Sequence, residues 1–192
     1  MRNAIIFFIA ALLFAFQTTA EELPRVKMQT DLGNIVVEID TINAPISAKN
    51  FLKHVEAGTY KNACFYRVVQ MDNQPNNDVK IDVIQGGMYT EPRFETIKPI
   101  EHETTETTGL KHLDGTLSMA RSEPGTASTE FFICVGDQPE LDFGGKRNPD
   151  GQGFAAFGQV VSGMDVVRKI QQQKDKQQTL VEKVKITEMR VQ

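Results

Sequence analysis

The chain has 192 residues, 40% hydrophobic and 24% charged, enough for one domain with a real core and too few for two comfortable ones. Its 25 acidic residues outnumber its 21 basic ones for a formal charge of −4, and no Lys/Arg stripe with interleaved aromatics offsets them, which argues against a nucleic-acid partner. His54, His102 and His112 share no metal-ligand spacing and read as surface or packing residues, so neither a metal nor a cofactor is expected.

Met1-Arg2-Asn3 is a basic start, Ala4 to Phe16 an unbroken apolar run of 13 residues, and Thr18-Thr19-Ala20 a group of small residues. This order reads as a secretory signal peptide cut after Ala20, because 13 apolar residues fall short of the ~20 that cross a bilayer as a helix. An uncleaved anchor is the alternative. Residues 1–20 hold one base and no acid, so the mature chain, 21–192, has 20 basic against 25 acidic residues and a formal charge of −5. Export places Cys64 and Cys134 where disulfides are permitted. Both lie in apolar strand-like runs and read as buried thiols.

Val26 to Thr30 and Ile35 to Ile39 alternate apolar and polar residues around Asp31-Leu32-Gly33-Asn34, the pattern of a β-hairpin. Pro45 opens a helix whose Ala48, Phe51, Leu52 and Val55 share one face, and Gly58 closes it. Such a face must lie against something, most simply the mouth of a barrel. Ala63 to Gln70 and Ile81 to Gln85 read as strands, with a polar loop from Met71 to Lys80 between them. Tyr89 to Leu113 has no clear period and reads as mostly loop. Gly115 to Ala120, Glu130 to Val135 and Phe154 to Val161 are further strands, with Phe143 to Gly153 a glycine-rich connection. Gly163-Met164-Asp165 starts a second helix with Met164, Val167 and Ile170 inward, and Lys183 to Val191 is a closing strand. Many short strands with two helices predict a mainly β fold, a closed antiparallel barrel capped by helices.

Phe65-Tyr66-Arg67 is followed, eighteen positions after its arginine, by Gln85-Gly86-Gly87, then by Met119-Ala120-Arg121-Ser122 and Glu130-Phe131-Phe132. These segments put a guanidinium, a carboxamide and an aromatic on strand-like stretches, with no Ser-His-Asp set. That inventory suits turning an amide bond, which needs no nucleophile. Taken alone, Arg67 reads as a solvent-facing strand residue and Gln85 as a polar residue beside a glycine bulge. Alternation buries Phe131 and presents Phe132 to the other face.

From about Arg25 to the C-terminus these motifs resemble the cyclophilins, the peptidyl-prolyl cis-trans isomerases, and a bacterial periplasmic subgroup of them in particular. The resemblance implies an eight-stranded barrel with a helix over each end. It also implies that Arg67 is the catalytic hydrogen-bond donor, braced by Gln85. Phe132, Val83, Leu141 and Phe154 would form a cup for the proline ring, and Glu130 would lie in the substrate groove. Arg121 would pair with the substrate backbone through its main chain in the extended mode, with Ala120 and Ser122 flanking that contact. The implied partners are proline-containing polypeptides, the implied site is the periplasm, and a monomer without stable membrane insertion is expected.

Four positions depart from the family pattern. Asp82 falls where a phenylalanine often lines the pocket, Glu130 replaces a glutamine, Glu140 stands where tryptophan is common, and Phe154 replaces a histidine. The carboxylates lead to an expectation of acidic groove edges that favour basic residues beside the target proline. Glu130 is expected either to pair with Arg67 and pin the guanidinium or to compete with substrate for it, and in the second case Glu130→Gln raises turnover. The alternatives are a catalytically weak proline-peptide-binding chaperone and an unrelated small-ligand barrel.

Overall fold

The computed structural model describes residues 22–88, 91 and 96–192. The signal-peptide reading and part of the long loop reading lie outside these residues. Strand β1 (Arg25–Thr30) pairs with β2 (Gly33–Ile39), Thr30 opposite Gly33, so the turn narrows to Asp31-Leu32. Then follow α1 (Pro45–Glu56), β3 (Cys64–Val69), β4 (Val83–Gly87), α2 (Thr105–Thr108), β5 (Thr116–Met119), β6 (Phe131–Cys134), β7 (Ala155–Ser162), α3 (Met164–Gln171), β8 (Asp175–Lys176) and β9 (Thr179–Val191). The strand order is β1-β2-β7-β5-β6-β4-β3-β9, and β9 returns to β1. Eight antiparallel strands thereby close a barrel with no free edge, and β8 is a two-residue arm paired with β9.

Two elements differ from the sequence reading. A third helix, the single turn α2, interrupts the stretch read as mostly loop; Thr104 caps it and Gly109 ends it at φ 74°. Strand β9 begins at Thr179, ahead of the expected Lys183, after a tight turn through Gln177 and Gln178. Polar residues on the outer side of a barrel strand hide its start from any periodicity test.

The interior is filled by side chains. Met28, Ile35, Phe65, Leu117, Phe131 and Phe157 are fully buried, and the Phe131 ring meets Phe51 and Phe65 edge-on at 5.7 and 5.8 Å. This packing is the core of a solid barrel, contrary to the small-ligand alternative. Cys64 and Cys134 are both buried with no disulfide joining them, and burial pushes the Cys134 thiol well up.

Helix α1 packs on β7 and β9, and α3 on β2, β3 and β4. Ala48, Phe51 and Val55 of α1 are buried as its sequence period requires. No side chain of its own caps α1. The Glu103 carboxylate does so from a distance, accepting from Ile46 N–H at 2.9 Å and Ser47 N–H at 2.7 Å. Asn50 Nδ2 then donates to the Ser128 carbonyl at 2.5 Å, and Tyr60 Oη to the Thr129 carbonyl at 3.1 Å. The helix and the turn that follows it thus fix the backbone that leads into Glu130. No helix among the described residues is long and apolar enough to cross a membrane.

Candidate active site

The site lies on the outer wall of the barrel, across β3, β4, β5 and β6. Phe65 pairs with Gly86 and Arg67 with Gln85, so Tyr66 is an extra residue in β3. A β-bulge of this kind breaks alternation. Phe65 stays in the core, while both Tyr66 and Arg67 reach a cavity of about 540 Å³.

A line of hydrogen bonds runs from the arginine. Arg67 Nη1 donates to Gln85 Oε1 at 2.9 Å, Gln85 Nε2 donates to Tyr66 Oη at 2.8 Å, and Tyr66 Oη donates to Glu130 Oε2 at 2.6 Å. Glu130 Oε1 accepts from Met88 N–H at 2.5 Å. Gly87 makes room for that carboxylate: a Cβ there would stand 2.5 Å from Glu130 Oε1, and φ is 142°. Burial, with the Glu130 charge beside it, pushes the Tyr66 phenol well up, so it remains a donor. Each carboxamide and hydroxyl therefore has one consistent orientation.

Gln178 holds the opposite edge of the guanidinium, its Oε1 accepting from Arg67 Nε at 3.1 Å and Nη2 at 2.5 Å. Its own backbone is fixed, N–H to Asp175 Oδ2 and carbonyl to Val68 N–H. Three of the five N–H donors of Arg67 are thus taken by neutral acceptors. These bonds leave one donor on each terminal nitrogen of a side chain that borders both cavities, and burial pulls the guanidinium below its ordinary value while leaving it a cation.

Beside Arg67 lies a second cavity of about 220 Å³, lined by Ile81, Val83, Phe132, Leu141 and Phe154 together with Arg67, Gln85 and Arg147. Val83 and Gln85 point the same way because they alternate along β4, and Ile81, two residues ahead of that strand, lines the same cavity. Phe132 packs edge-on against Phe154 at 5.3 Å, and the His112 ring stacks on Phe132 at 5.9 Å. His112 Nδ1 meets Asp142 Oδ1 at 2.8 Å and Nε2 meets Ser118 Oγ at 2.9 Å. This bonded Ser118-His112-Asp142 arrangement corrects the sequence reading, which found no Ser-His-Asp set, because the three residues carry no motif spacing. Ser118 is 0% and His112 1% exposed, so the three serve as a floor beneath Phe132.

The Arg121 side chain, expected to contribute only its main chain, is the back wall. Its guanidinium binds the Gly153 carbonyl and Asp150, and sits 5.2 Å over the Phe154 ring. Ala120 N–H is bonded to the Glu130 carbonyl. Ala120, Arg121, Ser122 and Glu130 line the larger cavity, and Ala120 and Arg121 line the smaller one too.

Three expectations are corrected. Glu130 makes no ion pair with Arg67, because Tyr66 and Gln85 stand between them. Asp82 turns away from the cup to accept from Gln171 Nε2 at 3.3 Å, and Ile81 takes the pocket position. The Glu140 carboxylate accepts Lys146 N–H at 2.8 Å and lines neither cavity. Among the described residues, Glu130 is the one carboxylate that lines these two cavities, and it is engaged by Tyr66 and Met88. Tyr66, Ile81, Arg147 and Gln178 were not singled out from sequence.

A family model described as cyclophilin type peptidyl-prolyl cis-trans isomerase matches residues 25–191. A peptidyl-prolyl cis-trans isomerase of Acinetobacter baylyi is 41% identical over 148 residues, covering 76% of this chain and 70% of that one. Isomerase B of Escherichia coli is 39% identical over 149 residues, covering 76% and 82%, and isomerase A of Dickeya dadantii 35% over 172 residues, covering 88% and 82%. Among solved structures, a cyclophilin type isomerase of Cryptosporidium parvum superposes with a TM-score of 0.71 at 22% identity, covering 88% of this chain and 98% of that one. Its counterpart described as being in the presence of the dipeptide Ala-Pro gives 0.70 at 23%.

Proposed function

The chain belongs to the cyclophilin-type peptidyl-prolyl cis-trans isomerases, and from that premise we propose that Arg67 and the apolar cup are its catalytic centre and that its substrates are proteins folding after export. Rotation about an X-Pro bond faces a barrier of about 20 kcal/mol and takes tens of seconds or more unaided. Reaching milliseconds needs a gain of about ten-thousandfold, roughly 5 to 6 kcal/mol. In the twisted state the amide loses resonance, its nitrogen becomes basic and the bond becomes less dipolar. A donor to the nitrogen or carbonyl and an apolar wall both favour that state.

The observation that carries this reading is that Arg67 borders both cavities while two carboxamide oxygens fix its plane. The proline ring enters the cup of Phe132, Val83, Ile81, Leu141 and Phe154. Its preceding residue lies along Ala120-Arg121-Ser122, and the two remaining N–H donors of Arg67 meet the rotating bond. One charge-assisted bond contributes about 1.5 to 3 kcal/mol. The remainder comes from holding the ring and from the low polarity of the cup.

The leader-like residues 1–20 favour a periplasmic protein that assists exported ones, and one chain supplies the lining of both cavities, which favours action as a monomer. The weak-chaperone alternative rested on Asp82, Glu130 and Glu140. Two of these lie off the cup and the third is engaged away from Arg67, which favours the enzyme. A protease-coupled assay on an Ala-Pro peptide tests it: the native protein should accelerate exchange, and Arg67→Ala should lose about 10- to 100-fold. Equal slow rates for both would leave only a binding role.

A further inference from the structure

The described arginines fall into two groups. Arg25, Arg121, Arg168 and Arg190 each meet a carboxylate within 4.0 Å. Arg67 and Arg147 do not, and both line the 220 Å³ cup. Arg147 is held through Nη1 by neutral oxygens, Gln74 Oε1 at 2.8 Å and the Val79 carbonyl at 2.6 Å. Its desolvation and the charge of Arg67 both pull it below the usual guanidinium value. Asn148, on the same wall, keeps its Nδ2 away from solvent without an acceptor.

Five of the described carboxylates beside the groove are committed elsewhere. Glu130 holds Tyr66 and Met88, Glu140 holds Lys146 N–H, Asp142 holds His112, Asp150 holds Arg121, and Asp82 faces Gln171. At the other end of the groove, the larger cavity is bordered by exposed Lys183. The wall offers donors and positive charge, and no spare acceptor among these groups. A neutral carbonyl would satisfy the donors yet leave two neighbouring charges without a counter-ion, whereas a carboxylate answers both needs.

We infer that the isomerase selects substrates with an acidic side chain within two residues of the target proline, received by Arg147 and Asn148 at one end of the groove or by Lys183 at the other. This reverses the preference for basic residues expected from sequence, and it rests on the isomerase reading of the same groove. The test uses Ala-Pro peptides matched except for Glu, Gln or Lys placed before or after the X-Pro pair. Catalysed exchange and affinity are both followed by NMR at low salt and at ~1 M salt, where the Debye length is ~3 Å. Glu should exceed Gln by about threefold to tenfold at low salt, with Lys below Gln, and high salt should compress the series. Arg147→Gln or Lys183→Gln should bring the Glu-to-Gln ratio toward one for peptides reaching that end. Equal Glu and Gln values in the native protein, or a ratio unchanged in both variants, overturns the inference. Absent exchange of the Gln peptide would instead defeat the isomerase reading, while the affinity ratio would still decide the charge preference. Should Arg147→Gln fail to fold, Lys183→Gln and the native salt series decide between these outcomes.

Discussion

The Gln178 carboxamide oxygen accepts from Arg67 Nε at 3.1 Å and from Arg67 Nη2 at 2.5 Å, gripping the edge of the guanidinium opposite Gln85. To do so it sits in a two-residue turn in which Gln177 and Gln178 both have positive φ, 53° and 70°. Such turns favour Asn-Gly or Gly, and left-handed backbone costs other residues about 1 kcal/mol or more. Gln178→Gly relieves roughly 1 kcal/mol of backbone cost but loses the side chain's bonds to Arg67 and Asn73, so it should not stabilise, and it should lower kcat/KM about tenfold, through kcat more than KM. Gln177→Gly, on the exposed side of the turn, loses no such bond and should raise stability by up to about 1 kcal/mol and leave turnover alone. Urea titration and NMR exchange check both. A Gln178→Gly variant with full turnover would remove Gln178 from the positioning of Arg67.

Glu130 ends the donor chain that starts at Arg67. Its carboxylate accepts from both Tyr66 Oη and Met88 N–H, and a Gln amide group can accept at only one of these places. Glu130→Gln should lower stability by about 1 to 2 kcal/mol and turnover a few-fold, by leaving one donor unmet and loosening Tyr66 and Gln85. Thermal denaturation and the exchange rate report the two effects. A rise in turnover would restore the competition idea that the geometry argues against.

The barrel was legible because its inward residues alternate, and α1 because Ala48, Phe51 and Val55 recur at helical spacing. Arg67, Gln85 and Phe132 came through motifs, which carry information that alternation does not. Tyr66 was lost to a bulge, since one extra residue moves a side chain to the other face without changing the local pattern. Gln178 was lost because its partner lies 111 positions away and its strand starts in a polar stretch. Asp82 was misplaced by one position, a slip that exchanges the two faces of a strand. Arg147 and Asn148 lie in a glycine-rich loop with no period at all, so only the folded chain brings them to the cup.

Acid should loosen the floor of the cup. Burial alone would raise the Asp142 carboxyl, but its bonds and attraction to His112, with Lys111 nearby, hold it below the usual carboxylate range. A depressed folded value means its contribution is complete above the unfolded value of about 3.8 and is lost as pH falls through the lower folded value. Asp142→Asn should cost stability at neutral pH, and the gap to native protein should narrow as pH falls below that point. Urea midpoints across the acid range measure it, and a gap independent of pH would detach Asp142 from the acid response.

Arg67→Lys separates charge from geometry. A lysine keeps the positive charge, but its ammonium is a point with three donors on a flexible stem and cannot lie flat between two carboxamide oxygens. Gln85 Oε1 and Gln178 Oε1 approach different nitrogens of the present side chain, so one ammonium would satisfy one of them or swing between them. It would also present no fixed pair of donors to the rotating bond. The expected loss in kcat/KM is therefore close to that of Arg67→Ala, within about threefold, with KM changed little because the cup remains. NMR exchange rates over a range of peptide concentrations give kcat and KM separately. Near-native turnover in Arg67→Lys would show that positive charge alone suffices, and the two carboxamides would then have no part in catalysis.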